Sequence, residues 1–356
     1  MAPYFILLIT VIGLSTLVYR GGPLGIYRQN AASVTIFILL ALFAGLRDSF
    51  VGTDTNNYVY FFYEQAGDSI FHINSSYEIG FAMLSNIARA IYSEFWSLLL
   101  LVAGLTVYLN LKVIRSLSEN FTVSLFLYIC LGLYVFFFNG ARQGIAIAFF
   151  GIAIVAAYRN SLWQYVFWVF VAFLFHKTAI VGLFLFYFLR NGFNIKNIGV
   201  NLILFTLFFY GVITGIQLEG SEFEKFETYI DRGALGGGGF TFYNTAVLVF
   251  FISVRNQVSP ANLKKYDFFV NLVIVGTLIF LLTFILGLDV NIMRLAFYFL
   301  FGQILIWPLV FKDVHLAKEV VFRVLFVLVH LFYLFMILSQ SGLSLYIPNR
   351  YIFGIE

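Results

Sequence analysis

Residues 121–158 read FTVSLFLYICLGLYVFFFNGARQGIAIAFFGIAIVAAY. Two apolar runs, 121–138 and 143–158, flank one polar corner, Asn139-Gly140-Ala141-Arg142-Gln143. Each run approaches the roughly 17–25 residues that an α-helix needs to cross the hydrocarbon core of a bilayer. Neither run alternates polar and apolar positions, which argues against the strands of a transmembrane barrel. Unpaired backbone groups in lipid cost several kcal/mol each, so helices are the spanning structure. The stretch reads as a helical hairpin in a membrane, with an arginine at its corner.

The same pattern extends along all 356 residues. Further apolar runs lie at 2–19, 31–46, 95–111, 162–175, 179–189, 199–216, 240–254, 268–288, 295–311 and 320–338. The chain is 62% hydrophobic and 11% charged, against roughly a quarter charged in a soluble domain. Too few polar side chains exist to cover a globular surface. The expected fold is therefore all-α, a polytopic transmembrane bundle of about twelve helices forming one domain over residues 1–356. The first apolar run has no basic residue before it, so it reads as a retained helix rather than a cleaved signal.

Loop charge gives the orientation. If 20–30 faces the cytoplasm, alternation puts most of the 21 Lys and Arg in loops on that side, as the positive-inside rule requires. Both termini and two long polar segments, 47–94 and 217–239, then face outward. Within the first, 77–92 carries an apolar helical stripe with Glu78 and Arg89, and reads as an amphipathic helix on the outer surface. The second ends in four glycines, Gly236 to Gly239, which fix no conformation. No basic run exceeds Lys264-Lys265, so the net charge of +4 is a topology signal and not a nucleic-acid footprint. The single Cys130 excludes an intrachain disulfide, and the four scattered histidines suggest no metal cluster.

Ionisable groups at membrane depth are costly and usually functional. Four places stand out, all assigned to the outer side. Arg142, with Gln143 beside it, opens a helix whose free N–H groups suit a phosphate, and a guanidinium binds phosphate bidentately. The structural alternative is an arginine snorkelling to the interface. Asn291-Ile292-Met293-Arg294 repeats the form, so Arg294 is a second phosphate ligand candidate. Phe175-His176-Lys177-Thr178 interrupts the two shortest runs, where His176 can carry a proton and Lys177 adds positive potential; the plainer reading is a polar turn. The stretch from Arg47-Asp48 through Asp54 to Tyr58 is dense in hydrogen-bonding groups. Asp54 and Glu78 are candidate general bases for a hydroxyl nucleophile, or else they cap turns. Arg47, Asp48 and Tyr58 are candidate sugar contacts.

There is no Walker A segment, no Gly-x-Ser-x-Gly elbow, no His-Glu-x-x-His and no Asp-x-Asp. ATP-driven transport and metal-dependent nucleotide-sugar transfer therefore lack their signatures, and no cofactor or metal is expected.

Taken in order, Arg-Asp with Val-Gly-Thr-Asp-Thr and Tyr (47–58), Tyr-Glu-Ile-Gly-Phe (77–81), Ala-Arg-Gln-Gly-Ile-Ala (141–146), Phe-His-Lys-Thr-Ala (175–179) and Met-Arg-Leu-Ala-Phe-Tyr (293–298) resemble the EpsG family of bacterial exopolysaccharide proteins, which are Wzy-like polymerases. One departure is Ile79, where that pattern carries proline. The resemblance implies a GT-C-like polysaccharide polymerase architecture in the bacterial cytoplasmic (inner) membrane. It implies an inverting, metal-independent glycosyltransferase that joins polyprenyl-pyrophosphate-linked repeat units into exopolysaccharide or O-antigen on the outer face. The implied partners are the lipid-linked donor and acceptor, membrane lipids and a chain-length regulator, with no nucleic acid. On this reading Arg142 and Arg294 stabilise the leaving pyrophosphate, His176 and Lys177 assist, and Glu78 or Asp54 takes the proton. Competing readings are an O-antigen-type ligase, a lipid-linked glycan flippase and a membrane acyltransferase.

Overall fold

The computed structural model describes residues 1–18, 25–64, 78–192, 199, 237–287, 290–315 and 318–353. Among these residues the chain is helical, apart from turns and one isolated bridge between Arg47 and Pro348. The α-helices are α1 Ala2–Val18, α2 Gly25–Gly45, α3 Thr55–Glu64, α4 Ile79–Ile91, α5 Trp96–Leu117, α6 Phe121–Cys130, α7 Leu133–Asn139, α8 Ala141–Tyr158, α9 Leu162–Phe175, α10 Phe186–Arg190, α11 Gly238–Val254, α12 Pro260–Ile285, α13 Phe301–Asp313, α14 Glu319–Gln340 and α15 Arg350–Phe353. Three 3₁₀ segments, Lys177–Leu185, Arg255–Gln257 and Val290–Phe299, precede α10, α12 and α13.

Local chemistry sets the boundaries. Asn120 caps α6 by accepting from the Val123 amide at 3.2 Å, using one of the amides a helix start leaves unpaired. Pro260 opens α12 at a position where a missing N–H costs nothing. Gly132, at φ 82°, separates α6 from α7. The α8 helix packs on α5, α7 and α9, and α12 packs on α11, α13 and the 3₁₀ segment before it.

Six helices among the described residues are long and apolar enough to cross a membrane, and seven if the bent pair Asn291–Phe299 and Phe301–Asp313 forms one span. Four more apolar helices are shorter: Ala2–Thr16, Asn30–Gly45, Ile79–Ile91 and Leu162–Phe175. The expected count of about twelve full spans is not reached among the described residues. The 179–189 run is a 3₁₀ segment followed by a single helical turn, and residues 200–216 of the run at 199–216 and the polar segment 217–236 lie outside the described residues. In α4, Phe81, Ala82 and Ala88 are buried together with Ser85 and Asn86, while Ile79, Ile87 and Ile91 are exposed, so the buried face does not coincide with the expected apolar stripe.

The loops gather into two ends. At one, Glu119 bonds Lys265 and Lys312, and Arg255 pairs with Asp267. The other holds 46–55, Glu78, the 139–142 corner, His176, the 290–294 turn and 341–350.

Candidate active site

The Glu78 carboxylate is the hub of the second end. Arg142 Nη1 donates to its Oε2 at 2.5 Å, and His176 Nδ1 bonds its Oε1 at 2.8 Å. Three segments far apart in sequence are joined by one side chain that is 9% exposed. Burial alone would push this carboxyl up, but the hydrogen bond from His176 and the charge of Arg142 outweigh it and hold Glu78 at about 2. An ionised carboxylate only accepts hydrogen bonds, so Nδ1 of His176 donates to it, and in the neutral imidazole the lone pair is on Nε2.

The backbone explains how Glu78 reaches both partners. Glu78 is the extended residue immediately before α4, and Ile79 is the first helical position. Proline is favoured at that position, and Ile79 occupies it here with Glu78 extended before it. A Cβ on Gly80 would lie 2.8 Å from the Leu174 carbonyl oxygen. Only glycine lets the start of α4 approach the end of α9 so closely, which sets Glu78 beside His176. Phe149 of α8 stacks on Trp168 and Phe175 of α9, tying the Arg142 helix to the helix that His176 terminates. The next residue with a hydroxyl, Thr178, bonds the Tyr298 hydroxyl at 3.0 Å.

A second group adjoins the first. Gln143 donates to the Arg294 carbonyl at 3.1 Å, so adjacent side chains on α8 hold Glu78 and the Arg294 backbone. Arg294 faces Asp54 at 3.7 Å, with the two side chains 39% and 34% exposed. Arg294 also lines a cavity of about 300 Å³ with Thr53, Asn139, Gly140, Asn291 and Ser341 on its polar side. Tyr58 is buried, its hydroxyl donates to the Asn139 carbonyl at 3.4 Å, and it lies against the Arg142 guanidinium.

Two other expected residues, Arg47 and Asp48, sit elsewhere, and a third, Lys177, lies at the edge of the group. Arg47, expected at the sugar, is fully buried. It donates to the Ala44 carbonyl at 2.5 Å and the Phe138 carbonyl at 3.4 Å, and its guanidinium lies over the Phe138 ring at 4.5 Å. Burial pushes it down to about 10, so it stays charged at neutral pH. With no exposed surface it fastens the end of α2 to α7 and reaches no open space. Asp48 is also buried; it accepts from the Phe50 amide at 3.1 Å and from Arg350 at 3.3 Å. These bonds make it a turn cap and not a sugar contact. Lys177 is exposed beside His176 and enters no ion pair among the described residues.

Two features escaped the sequence reading. Asn139 is a junction: its side chain accepts from the Thr53 amide at 3.0 Å and donates to the Ser341 carbonyl at 2.8 Å. The segment 341–350 is a strap over the 46–55 loop, through Asp48 N to the Ile347 carbonyl and Asn349 N to the Leu46 carbonyl, both 2.8 Å. Asn139 was visible in the quoted corner, but nothing local distinguishes a junction from a helix end.

The sequence profile described as the EpsG family matches residues 30–350, nearly the whole chain. This protein belongs to the EpsG family. No curated protein and no solved structure matches it. EpsG membership and the apolar helices together mark a multi-pass membrane protein of the polysaccharide-polymerase type. All five segments that carried the resemblance contribute to the second end of this EpsG family member, and four of them meet directly through Glu78, Arg142, His176, Gln143 and the Arg294 carbonyl.

Proposed function

We propose that this EpsG family member is a glycosyltransferase that extends a polysaccharide by joining polyprenyl-pyrophosphate-linked repeat units at the end of the bundle that carries Glu78, and that this end faces outward from the cytoplasmic membrane. The observation that carries the reading is the linked set Arg142–Glu78–His176, next to Arg294 on an open cavity. It combines what such a transfer needs: cations for an anionic leaving group and a nitrogen base held in one orientation.

In the proposed step an acceptor hydroxyl attacks the anomeric carbon of the donor. The new C–O bond forms as the bond to pyrophosphate breaks, and the anomeric centre inverts. The hydroxyl proton passes to Nε2 of His176. A carboxyl held at about 2 is a poor proton acceptor, so Glu78 acts by fixing the imidazole tautomer and orientation, as the carboxylate of a hydrolase triad does. The leaving pyrophosphate gains negative charge as the bond breaks, and placed cations stabilise charge that develops in the transition state. Arg142 and Arg294 have that role, with Lys177 adding positive potential. Asp54 occupies Arg294 until the anion arrives.

The test is to extract lipid-linked glycans from cells with and without this gene, and to measure their length and the membrane face they occupy. Loss of long chains with single repeats left on the outer face supports the polymerase. Single repeats trapped on the cytoplasmic face would mean a flippase, and long chains persisting on the lipid carrier would mean a ligase.

A further inference from the structure

A larger cavity, about 720 Å³, lies between α11 and α14. Its walls include Phe240, Tyr243 and Phe250 on one side and Phe326, Val329 and Tyr333 on the other. Among the described spans these two helices are the least buried, at 28% and 22% of their apolar windows. The cavity is therefore a peripheral seam, bordered by exposed α14 residues such as Leu325, Val329 and Phe332. Its one polar pair is already satisfied. The Phe326 carbonyl accepts from His330 Nδ1 at 2.7 Å, so Nε2 holds the lone pair and accepts from the Tyr243 hydroxyl at 2.8 Å. Beyond that pair the lining is apolar and aromatic except for Gln340 and the Trp307 indole N–H, which has no hydrogen-bond partner among the described residues.

The seam adjoins the smaller cavity. Phe240, Tyr333 and Gln340 line both, and the far side of the smaller one carries Arg294, Asn139 and Asn291. The two adjoining spaces are thus apolar and aromatic along the helices, and cationic and amide-lined at the end that holds the candidate site. That chemistry matches an amphiphile with a long hydrocarbon chain and a phosphate head. We infer that the α11–α14 seam holds the polyprenyl chain of the lipid-linked substrate, with its pyrophosphate at Arg294. This assignment rests on the polymerase reading. A single groove between two helices suits one unbranched-path chain better than the paired tails of a phospholipid, and aromatic walls suit the double bonds of an isoprenoid, which can lie against ring faces.

The test uses purified full-length protein in detergent and measures equilibrium binding of long-chain polyprenyl pyrophosphate, inorganic pyrophosphate and phosphatidic acid. Ala246 lines the seam from α11 and Val329 from α14, and both are exposed, so a larger side chain at either fills the groove without displacing the core. Ala246→Trp and Val329→Trp are each expected to weaken polyprenyl pyrophosphate binding about tenfold or more, which is roughly 1.4 kcal/mol, while leaving inorganic pyrophosphate binding unchanged. Arg294→Ala should weaken both. Retained inorganic pyrophosphate binding shows that a variant is folded, and the two tryptophans from opposite walls check one another. The inference is overturned if both tryptophan variants bind the polyprenyl ligand as wild type does. It is also overturned if phosphatidic acid binds as tightly and responds equally, because the seam then holds an ordinary structural lipid. Chain elongation by wild type is scored separately. Tail-sensitive binding without elongation keeps the seam and removes the polymerase; elongation with tail-insensitive binding does the reverse.

Discussion

The two ends of the bundle use the same side chains in opposite ways. At the Glu119 end, that carboxylate is bonded to Lys265 at 2.6 Å and Lys312 at 2.7 Å. Arg255 grips Asp267 through two bonds of 2.7 and 2.8 Å. Asp313 gathers Ser259 and Asn262. Each of these acids is closed around its own partners, and the 3₁₀ segment there, Arg255–Gln257, is a single turn. At the Glu78 end the helices break instead. His176 is extended at φ −160°, two segments wind as 3₁₀, and Arg294 holds Asp54 only at 3.7 Å beside a cavity. An exposed pair at that distance contributes little to stability, so an incoming anion displaces Asp54 at small cost. The pairs at the Glu119 end secure loops, whereas Arg294, held loosely beside a cavity, is open to a ligand.

The largest effect should come from Arg142→Ala, which removes a cation fixed by Glu78. Loss of one such preorganised group costs on the order of 10²–10³-fold in turnover, to be read as the elongation rate of lipid-linked repeats. His176→Asn should follow, at about 10²-fold or more, since it removes the proposed base. A wild-type rate for either would break the distinction between the two ends.

Much of this was legible in the chain. Apolar runs and missing charge gave the helical membrane class, and the polar corners at Arg142, His176 and Arg294 gave three of the segments that meet. The pairing itself was not legible. Glu78 and His176 are 98 residues apart, and what joins them is the close approach at Gly80, which no periodicity reveals. The same holds for Arg47 and Asp48. A charged pair at a helix end looks identical in sequence whether it faces a substrate or, as here, is sealed by Phe138 and the 341–350 strap. Six or seven full spans are found among the described residues, against about twelve expected, because hydropathy does not register 3₁₀ winding or short helices, and residues 200–216 lie outside those described.

Asp54→Asn sharpens the comparison from the other side. Freed of its carboxylate, Arg294 should bind inorganic pyrophosphate a few-fold more tightly, measurable by titration; weaker binding would mean that Asp54 orients Arg294 instead of occupying it. At the closed end, Glu119→Ala should lower the melting temperature slightly and leave the elongation rate unchanged.

The smallest effect concerns pH. Glu78 titrates at about 2 in the folded chain against 4.5 for an ordinary glutamate, so its contribution is fully present above 4.5 and is lost as pH falls through 2. The difference in melting temperature between wild type and Glu78→Gln should therefore be flat from neutral pH down to 4.5 and shrink only below it. A difference that stays flat below 4.5 would mean that Glu78 is not held by Arg142 and His176 as described.

The most direct measurement is elongation in reconstituted vesicles supplied with lipid-linked repeat units, comparing wild type, Arg142→Ala and Glu119→Ala by product length. The account predicts long chains from wild type and Glu119→Ala, and single repeats from Arg142→Ala. Long chains from Arg142→Ala at the wild-type rate, in protein shown to be folded and inserted, would contradict it.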